Sequence, residues 1–286
     1  MGKIVIVGSG PAGCSAALYA ARAGQEVVVI SMGMGALSKA ELIQNYYGFE
    51  EGITGAELYR RGVAGAKAVG AEFITAEVVG LDYTGSLVVQ TTAGDYPADA
   101  VILATGTGRI APKIAGLAEH EGRGVSYCAT CDAFFYRGKT AAVLGSGEYA
   151  LHEVQALLPL AGKVILCTNG EPLTADFPEG VEICTEKLAA VEGEEKVSAL
   201  RLENGELLPV EGLFVALGVA GSAALARKLG APVENGRIVV DERMQTGIPG
   251  LYAAGDCTGG LLQVCKAVYE GALAATEAIK QIRGKK

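Results

Sequence analysis

The chain is poor in histidine: His120 and His152 are the only two in 286 residues. That leaves little scope for a metal site. A zinc site would also want a second Cys/His pair at ligand spacing, and the sequence has none. Positive charge is short as well, with 24 Lys and Arg against 32 Asp and Glu and a net charge of −8. Phosphate polymers would be repelled unless basic side chains were strongly clustered, so nucleic acid is not an expected partner. The basic tail 283–286 reads as a solvated end. No apolar run approaches the ~20 residues of a membrane span, although half of the residues are hydrophobic. Val- and Ile-rich strands covered on both faces account for that apolarity. The start, MGKIVIVGSGPAG, interrupts its apolar stretch with glycines and a proline almost at once, unlike a secretory leader. Ile6 stands where a myristoylation signal carries Ser or Thr. A cytoplasmic protein without a membrane partner is the expectation.

What the chain does have is the run GVSYCATCDAFFYRG at 124–138, with Cys128 and Cys131 two residues apart and Asp132 directly after them. A Cys-x-x-Cys pair can close a small, reducible disulfide, and its thiols often ionise nearer neutrality than a free cysteine. The adjacent carboxyl group can supply or take the proton that such exchange moves. The alternative reading of Asp132 is a cap for a helix beginning near Ala133. The other five cysteines lie mostly in apolar segments and read as reduced core residues.

A repeated glycine turn organises the rest. Residues 3–7 (KIVIV) run into Gly8-Ser9-Gly10-Pro11-Ala12-Gly13, then a small-residue helix at 13–22 and a second apolar run at 26–30. Strand, glycine turn, helix and strand form the unit that holds a dinucleotide pyrophosphate at a helix N-terminus. The glycines let backbone N–H groups approach the phosphates and let the helix lie close on the strand. The same plan recurs at 140–144, Gly145-Ser146-Gly147-Glu148-Tyr149-Ala150, a helix, and 163–168. Between the copies the sequence predicts a β-rich segment (72–79 and 87–92) and a strand at 100–104. After them come a hairpin at 197–210 turning at Asn204-Gly205, a strand at 213–217 and a closing helix at 264–282. The fold class is α/β, with two Rossmann-like nucleotide-binding domains, each a three-layer ββα arrangement.

At these residues the chain resembles the low-molecular-weight thioredoxin reductase family along nearly its whole length. The matching segments are GSGPAG at 8–13, Asn45 in QNYYG, ATG at 104–106, CATCD at 128–132, AAGD at 253–256, and Gln263 before the last helix. The larger glutathione-reductase-like relatives place their Cys pair near the N-terminus, which this chain does not. The resemblance implies FAD in a discontinuous domain, 1–112 with 243–286, and a middle domain, 113–242, that carries the Cys pair. It assigns Gly8, Gly10, Pro11, Ala12 and Gly13 to the pyrophosphate and Gly255 and Asp256 to the ribityl and phosphate side. Asn45, Thr105, Gly106, Gln263 and Val264 would surround the flavin. Cys131 would face the flavin, Cys128 would attack the disulfide of thioredoxin, and Asp132 would manage the proton. Arg123, Phe134 and Phe135 match positions that contact thioredoxin, with core burial as the simple alternative for the two phenylalanines. A homodimer is implied by the family alone.

The second glycine turn departs from the family pattern. NADPH-using relatives carry G-G-G-x-[ST]-A there and an H-R-R-D run after the next strand. Here the turn is GSGEYA, and the run is Thr168-Asn169-Gly170-Glu171. Without the two arginines, the 2′-phosphate of NADPH loses its bidentate partners. Glu148 would compete with the pyrophosphate at the helix N-terminus, and Tyr149 replaces a small residue. No carboxylate ends the second strand to take the ribose hydroxyls of NADH. A Gly-x-x-Pro-Asn segment of the family is replaced by Gly218-Val219-Ala220-Gly221-Ser222. NADPH is therefore not the expected donor. The ending GGLLQVCKAVYEGALAA, with Leu262 before the glutamine, resembles the flavin-dependent ferredoxin:thioredoxin reductases. A ferredoxin is acidic, and Arg60, Arg61, Lys67 and the tail are candidate basic contacts. The competing readings are an NAD(P)H-dependent thioredoxin reductase with an atypical site, and a non-catalytic flavoprotein that senses redox state through its Cys pair.

Overall fold

The computed structural model describes residues 2–106, 113–218 and 221–284. The chain divides into two compact units, Met1–Gly108 with Gly221–Lys286, and Arg109–Ala220. Among the described residues, no helix is long and apolar enough to cross a membrane.

The first unit is built on a parallel sheet in the order Leu251–Ala253, Ala100–Leu103, Lys3–Val7, Glu26–Ser31, Glu72–Thr75. Its central strands are buried on both faces, which is why they read as unbroken Val/Ile runs rather than as alternating ones. Helix Pro11–Arg22 covers one face with alanines, and helix Val264–Gly284 lies against it. The approach is close enough that a Cβ on Gly271 would sit 2.0 Å from Ala12 O. Ile4, Ile6, Ala16, Val27, Ile102, Tyr252 and Ala274 form the core there. An antiparallel sheet, Val78–Tyr83, Leu87–Thr91 and Gly94–Ala98, makes the third layer. The β-rich stretch expected at 72–79 contains parts of two strands. Glu72–Thr75 pairs in parallel with Glu26–Ser31, and Val78–Tyr83 pairs in the other sheet.

The second unit repeats the plan with a parallel sheet in the order Glu182–Cys184, Lys163–Cys167, Thr140–Leu144, Gly212–Val215, Val125–Ser126. The predicted hairpin is present as Ala199–Leu202 and Leu207–Pro209, and Leu188–Glu192 extends it to three strands. The molecule is an α/β protein of two Rossmann-like sheets.

The boundary between 242 and 243 expected from sequence is not where the chain divides. Residues 221–242 belong to the first unit, where helix Ser222–Lys228 packs on Val78–Tyr83, Val240 packs on the core, and polar contacts add to both. Ser222 Oγ and Thr105 Oγ1 are 2.7 Å apart, Ser222 N donates to Thr105 Oγ1 at 2.9 Å, and Arg237 donates to the Asp256 carbonyl. The boundary between 112 and 113, Val219, Ala220, and the tail residues Lys285 and Lys286 lie outside or at the edge of the described residues.

Candidate active site

In the first unit the glycine turn leads directly into helix Pro11–Arg22. Gly10 caps that helix without a side chain, Pro11 opens it, and its first turn has no acidic residue. Proline suits this position, because its missing N–H has no intrahelical partner to lose. Nothing lies within 4 Å of where a Gly10 Cβ would point, whereas a Gly13 Cβ would fall 1.8 Å from Gly8 O. The turn is therefore closed below, by strand and helix, and open above, where the N–H groups of Ala12 and Gly13 emerge at a positive helix end. This cradle fits a pyrophosphate.

The other residues assigned to FAD gather in the same unit. Asn45 Nδ2 donates to Gln263 Oε1 at 2.8 Å across 218 residues of chain, immediately before Val264 starts the last helix. Thr105 is held by buried Ser222, and Gly106 adopts φ +74°. Gly255, at φ +86°, donates its N–H to Glu270 Oε2 at 2.8 Å. Asp256 follows at the start of a single 3-10 turn, Asp256–Thr258. Lys266 Nζ donates to Gly255 O and Thr258 Oγ1, both at 2.8 Å, and pairs with Glu270 at 3.0 Å. Ser222, Lys266, Glu270 and Arg237 thus fix this region although sequence reasoning did not select them. The i,i+4 spacing of Lys266 and Glu270 on the closing helix is the one signal that pointed to a pair.

In the second unit Cys128 and Cys131 form a disulfide with Cα atoms 5.4 Å apart. Cys128 caps the short helix Ala129–Asp132, and its sulfur accepts the Cys131 N–H at 3.1 Å. Cys128 is buried and Cys131 exposed. Ser126 Oγ accepts the Cys128 N–H at 3.1 Å and donates to Asp132 Oδ2 at 2.7 Å. The Asp132 side chain makes no capping bond to the following 3-10 turn, Ala133–Tyr136, so its carboxylate is committed to Ser126 instead. Burial, and then the Asp132 charge, raises the pKa of Tyr136. Two further side chains reach this loop from helix Glu148–Leu157. Tyr149 OH donates to Tyr127 O at 3.0 Å, and Glu153, 1 % exposed, accepts the Ala129 N–H.

Phe134 and Phe135 are each 67 % exposed with edge-to-face rings 6.3 Å apart, so they are not core residues. Arg137 lies over the Phe134 ring at 6.0 Å. Arg123 is exposed, and its guanidinium donates to Glu119 O. Cys14, Cys167 and Cys257 are buried thiols, and burial pushes Cys14 up to about 12 and Cys257 up to about 11. Cys265 corrects the general expectation of core cysteines, because it is exposed near the start of the last helix. Of the candidate basic contacts, Arg60 and Arg61 both bind Glu57 at 2.7 Å, and Lys67 lies over Phe73.

The second glycine turn is covered by its own chain. Thr174 N donates to Ser146 O at 2.8 Å, and Thr174 Oγ1 lies 3.0 Å from where a Gly147 Cβ would be. Glu148 occupies the first helical turn, and Asn169 and Gly170 form a left-handed corner at φ +55° and +81°.

Comparison with known proteins agrees with this geometry. The model of the pyridine nucleotide-disulphide oxidoreductase family matches residues 2–271. The chain is 35 % identical to the thioredoxin reductase of Aquifex aeolicus, covering 99 % of this chain and 94 % of that one. Among solved structures, the atypical thioredoxin reductase TRi of Desulfovibrio vulgaris Hildenborough is 41 % identical at a TM-score of 0.93, with 99 % of each chain covered. A ferredoxin-flavin thioredoxin reductase of Clostridium acetobutylicum is 35 % identical at a TM-score of 0.74, with 99 % of this chain and 98 % of that one covered.

Proposed function

The chain belongs to the thioredoxin reductase family of FAD-dependent disulfide oxidoreductases, and on that premise we propose that it reduces a thioredoxin with electrons from ferredoxin rather than NADPH. The single observation that carries the donor assignment is the second glycine turn. There Thr174 folds over Ser146 and Gly147, and Glu148 sets a negative charge where a pyrophosphate would meet the helix. The solved relative named for ferredoxin and flavin supports the same choice.

FAD, when bound, supplies two-electron reducing power to a disulfide from carriers that deliver one or two electrons. Its pyrophosphate belongs on Gly8, Gly10, Pro11, Ala12 and Gly13, with Gly255 and Asp256 on the ribityl side. Asn45, Thr105, Gly106, Gln263 and Val264 would lie round the flavin. The remaining work falls to the second unit. With the pair reduced, the Cys128 thiolate attacks the partner disulfide and the partner's leaving sulfur takes a proton. The Cys131 thiolate then breaks the mixed disulfide, restoring Cys128–Cys131 and releasing the second partner thiol. Asp132, hydrogen-bonded to Ser126, is placed to hold the proton that must move. Phe134, Phe135 and Arg123 offer an exposed aromatic and basic face to the partner. Arg60, Arg61 and Lys67, on helix Gly55–Ala68, offer a basic face to an acidic ferredoxin. A homodimer is proposed from family membership.

One observation favours a second reading of the sulfurs: Cys131 is the exposed one in the disulfide, so it competes for the role of attacking thiol. Trapping with thioredoxin separates the two. Cys131→Ser should accumulate the mixed disulfide through Cys128, and accumulation with Cys128→Ser alone would reverse the roles. The donor is tested by anaerobic incubation with reduced ferredoxin, NADPH or NADH and with thioredoxin as acceptor. Thioredoxin thiols should appear with ferredoxin only. Prompt, stoichiometric bleaching of the flavin by either nicotinamide would sink the donor assignment. Thioredoxin reduction by a chemically reduced Cys128→Ser enzyme would favour the sensor reading over dithiol catalysis.

A further inference from the structure

Among the described residues outside the assigned site, Glu153 is a carboxylate buried in the interior of the molecule. It lies in the interior of helix Glu148–Leu157 and is 1 % exposed. Burying a carboxylate is costly unless its oxygens are bonded, and a retained one therefore points to a task. Its Oε2 accepts the N–H of Ala129, the residue directly after Cys128, and its Oε1 is 3.3 Å from His152 Nδ1. One turn earlier on the same helix, buried Tyr149 donates to the carbonyl of Tyr127, the residue directly before Cys128. The peptide groups on both sides of Cys128 are thus tied to one helix, by a carboxylate and a hydroxyl four residues apart.

We propose that Glu153 is a positioning residue for the redox pair, and that its charge makes the Cys128/Cys131 dithiol a stronger reductant. The tie fixes the backbone from which the Cys128 sulfur projects. The Glu153 charge would act on the sulfur through the neighbouring Ala129 peptide group. Reduction adds two electrons and two protons, breaks the S–S bond and leaves a thiol in equilibrium with a thiolate. The Cys131 N–H already donated to Cys128 Sγ favours that thiolate. A buried carboxylate bonded to the N–H of the adjacent Ala129 opposes it. Destabilising the reduced form lowers the potential, as stabilising it raises the potential of oxidising dithiols. Asp132, held by Ser126, His152, and the phenols of Tyr127, Tyr136 and Tyr149 are further ionisable groups round the loop. The helix that follows the second glycine turn would then serve the disulfide instead of a nucleotide. The proposal rests on the redox reading of the Cys pair but not on the identity of the electron donor.

The test equilibrates FAD-loaded protein anaerobically with mixtures of reduced and oxidised dithiothreitol, then alkylates it and measures the reduced fraction of the Cys pair by mass. Dithiothreitol supplies the electrons and protons and itself closes to a cyclic disulfide. Glu153→Gln keeps an oxygen acceptor for Ala129 N–H and removes the charge. Its equilibrium should move toward the dithiol by about tenfold, which is ~30 mV for a two-electron couple. Glu153→Asp keeps the charge and shortens the reach, so it should stay within about twofold of the unsubstituted protein while unfolding at a lower temperature. A Gln variant within twofold of the unsubstituted protein, or one shifted toward the disulfide, overturns the electrostatic role. Should the Gln variant not fold, a tenfold shift in the Asp variant does the same. If dithiothreitol fails to open the pair in the unsubstituted protein, the redox reading itself is what fails.

Discussion

Gly8 and Gly145 occupy the same place in the two units. A Cβ on Gly8 would lie 2.4 Å from Ala104 O, and one on Gly145 would lie 2.2 Å from Ala216 O. Both glycines let a neighbouring strand end press against the turn. The positions that follow diverge. Above Gly10 there is open space, while a Cβ on Gly147 would lie 3.0 Å from the Thr174 hydroxyl oxygen. Gly13 brings the first helix onto the turn, where the second copy has Ala150. The first helix opens with Pro11 and no acid, and the second opens with Glu148 and sends Tyr149 and Glu153 to the redox loop. Both copies keep the first two glycines; what separates them is the third glycine, the acid that opens the second helix and the Thr174 side chain over Gly147. Keeping the fold and keeping the ligand are separable demands on the same motif.

The largest test of that separation exchanges the third position. Gly13→Ala places a methyl group against the backbone of Gly8, which cannot swing aside as a side chain can. We expect a loss of ~3 kcal/mol, at the upper end of overpacking costs, and protein that purifies with little bound flavin. The reciprocal Ala150→Gly should cost about 1 kcal/mol, the price of glycine in a helix, and leave the flavin in place. Denaturant unfolding and flavin absorbance per protein chain check both. Equal flavin loss in the two variants would break the comparison.

Gly145→Ala comes next. It combines a left-handed backbone at φ +159° with a Cβ 2.2 Å from a carbonyl oxygen. A cost of about 2 kcal/mol is expected, in the range of local backbone strain. Hydrogen exchange should locate the loss in strand Thr140–Leu144 and its neighbours, with flavin content unchanged. Flavin loss here would mean that the second glycine turn still serves a bound dinucleotide.

Much of this was legible in the sequence because the constraints are local. The glycine turns, the Val/Ile strands, the hairpin at Asn204-Gly205 and the Cys pair are each written within a dozen residues. Asn45 and Gln263 were both selected from family motifs, and they meet in one hydrogen bond. Ser222, Glu153 and Thr174 were not legible. Each acts through a partner 24 to 117 residues away or from an irregular loop, and neither situation leaves a periodic signal. The domain boundary failed for the same reason. Residues 221–242 join the first unit through the packing of a short helix and Val240 and through Ser222 and Arg237, contacts to distant segments that local spacing does not announce. Asp132 reads in sequence as either cap or proton carrier, and its carboxylate bonds Ser126 rather than capping the 3-10 turn Ala133–Tyr136.

The smallest effect, and the most discriminating, concerns reopening the second turn. Glu148→Asn with Thr174→Ala removes the competing charge and the hydroxyl that lies over Gly147. NADPH binding should improve by no more than about fivefold, since a charge at a helix N-terminus is worth ~1 kcal/mol. The gain stays small because the 2′-phosphate still lacks its cations. Adding arginines at 169 and 170 should not supply them. Both residues turn through left-handed conformations, Asn169 Oδ1 accepts the Leu188 N–H at 2.8 Å, and a Gly170 Cβ would meet the Lys187 side chain at 3.2 Å. An arginine at either place strains the corner or frees the Leu188 N–H, so the fourfold variant should bind NADPH no better than the double one by fluorescence titration. A hundredfold gain would show that only side chains, and not the path of the backbone, separate the two turns.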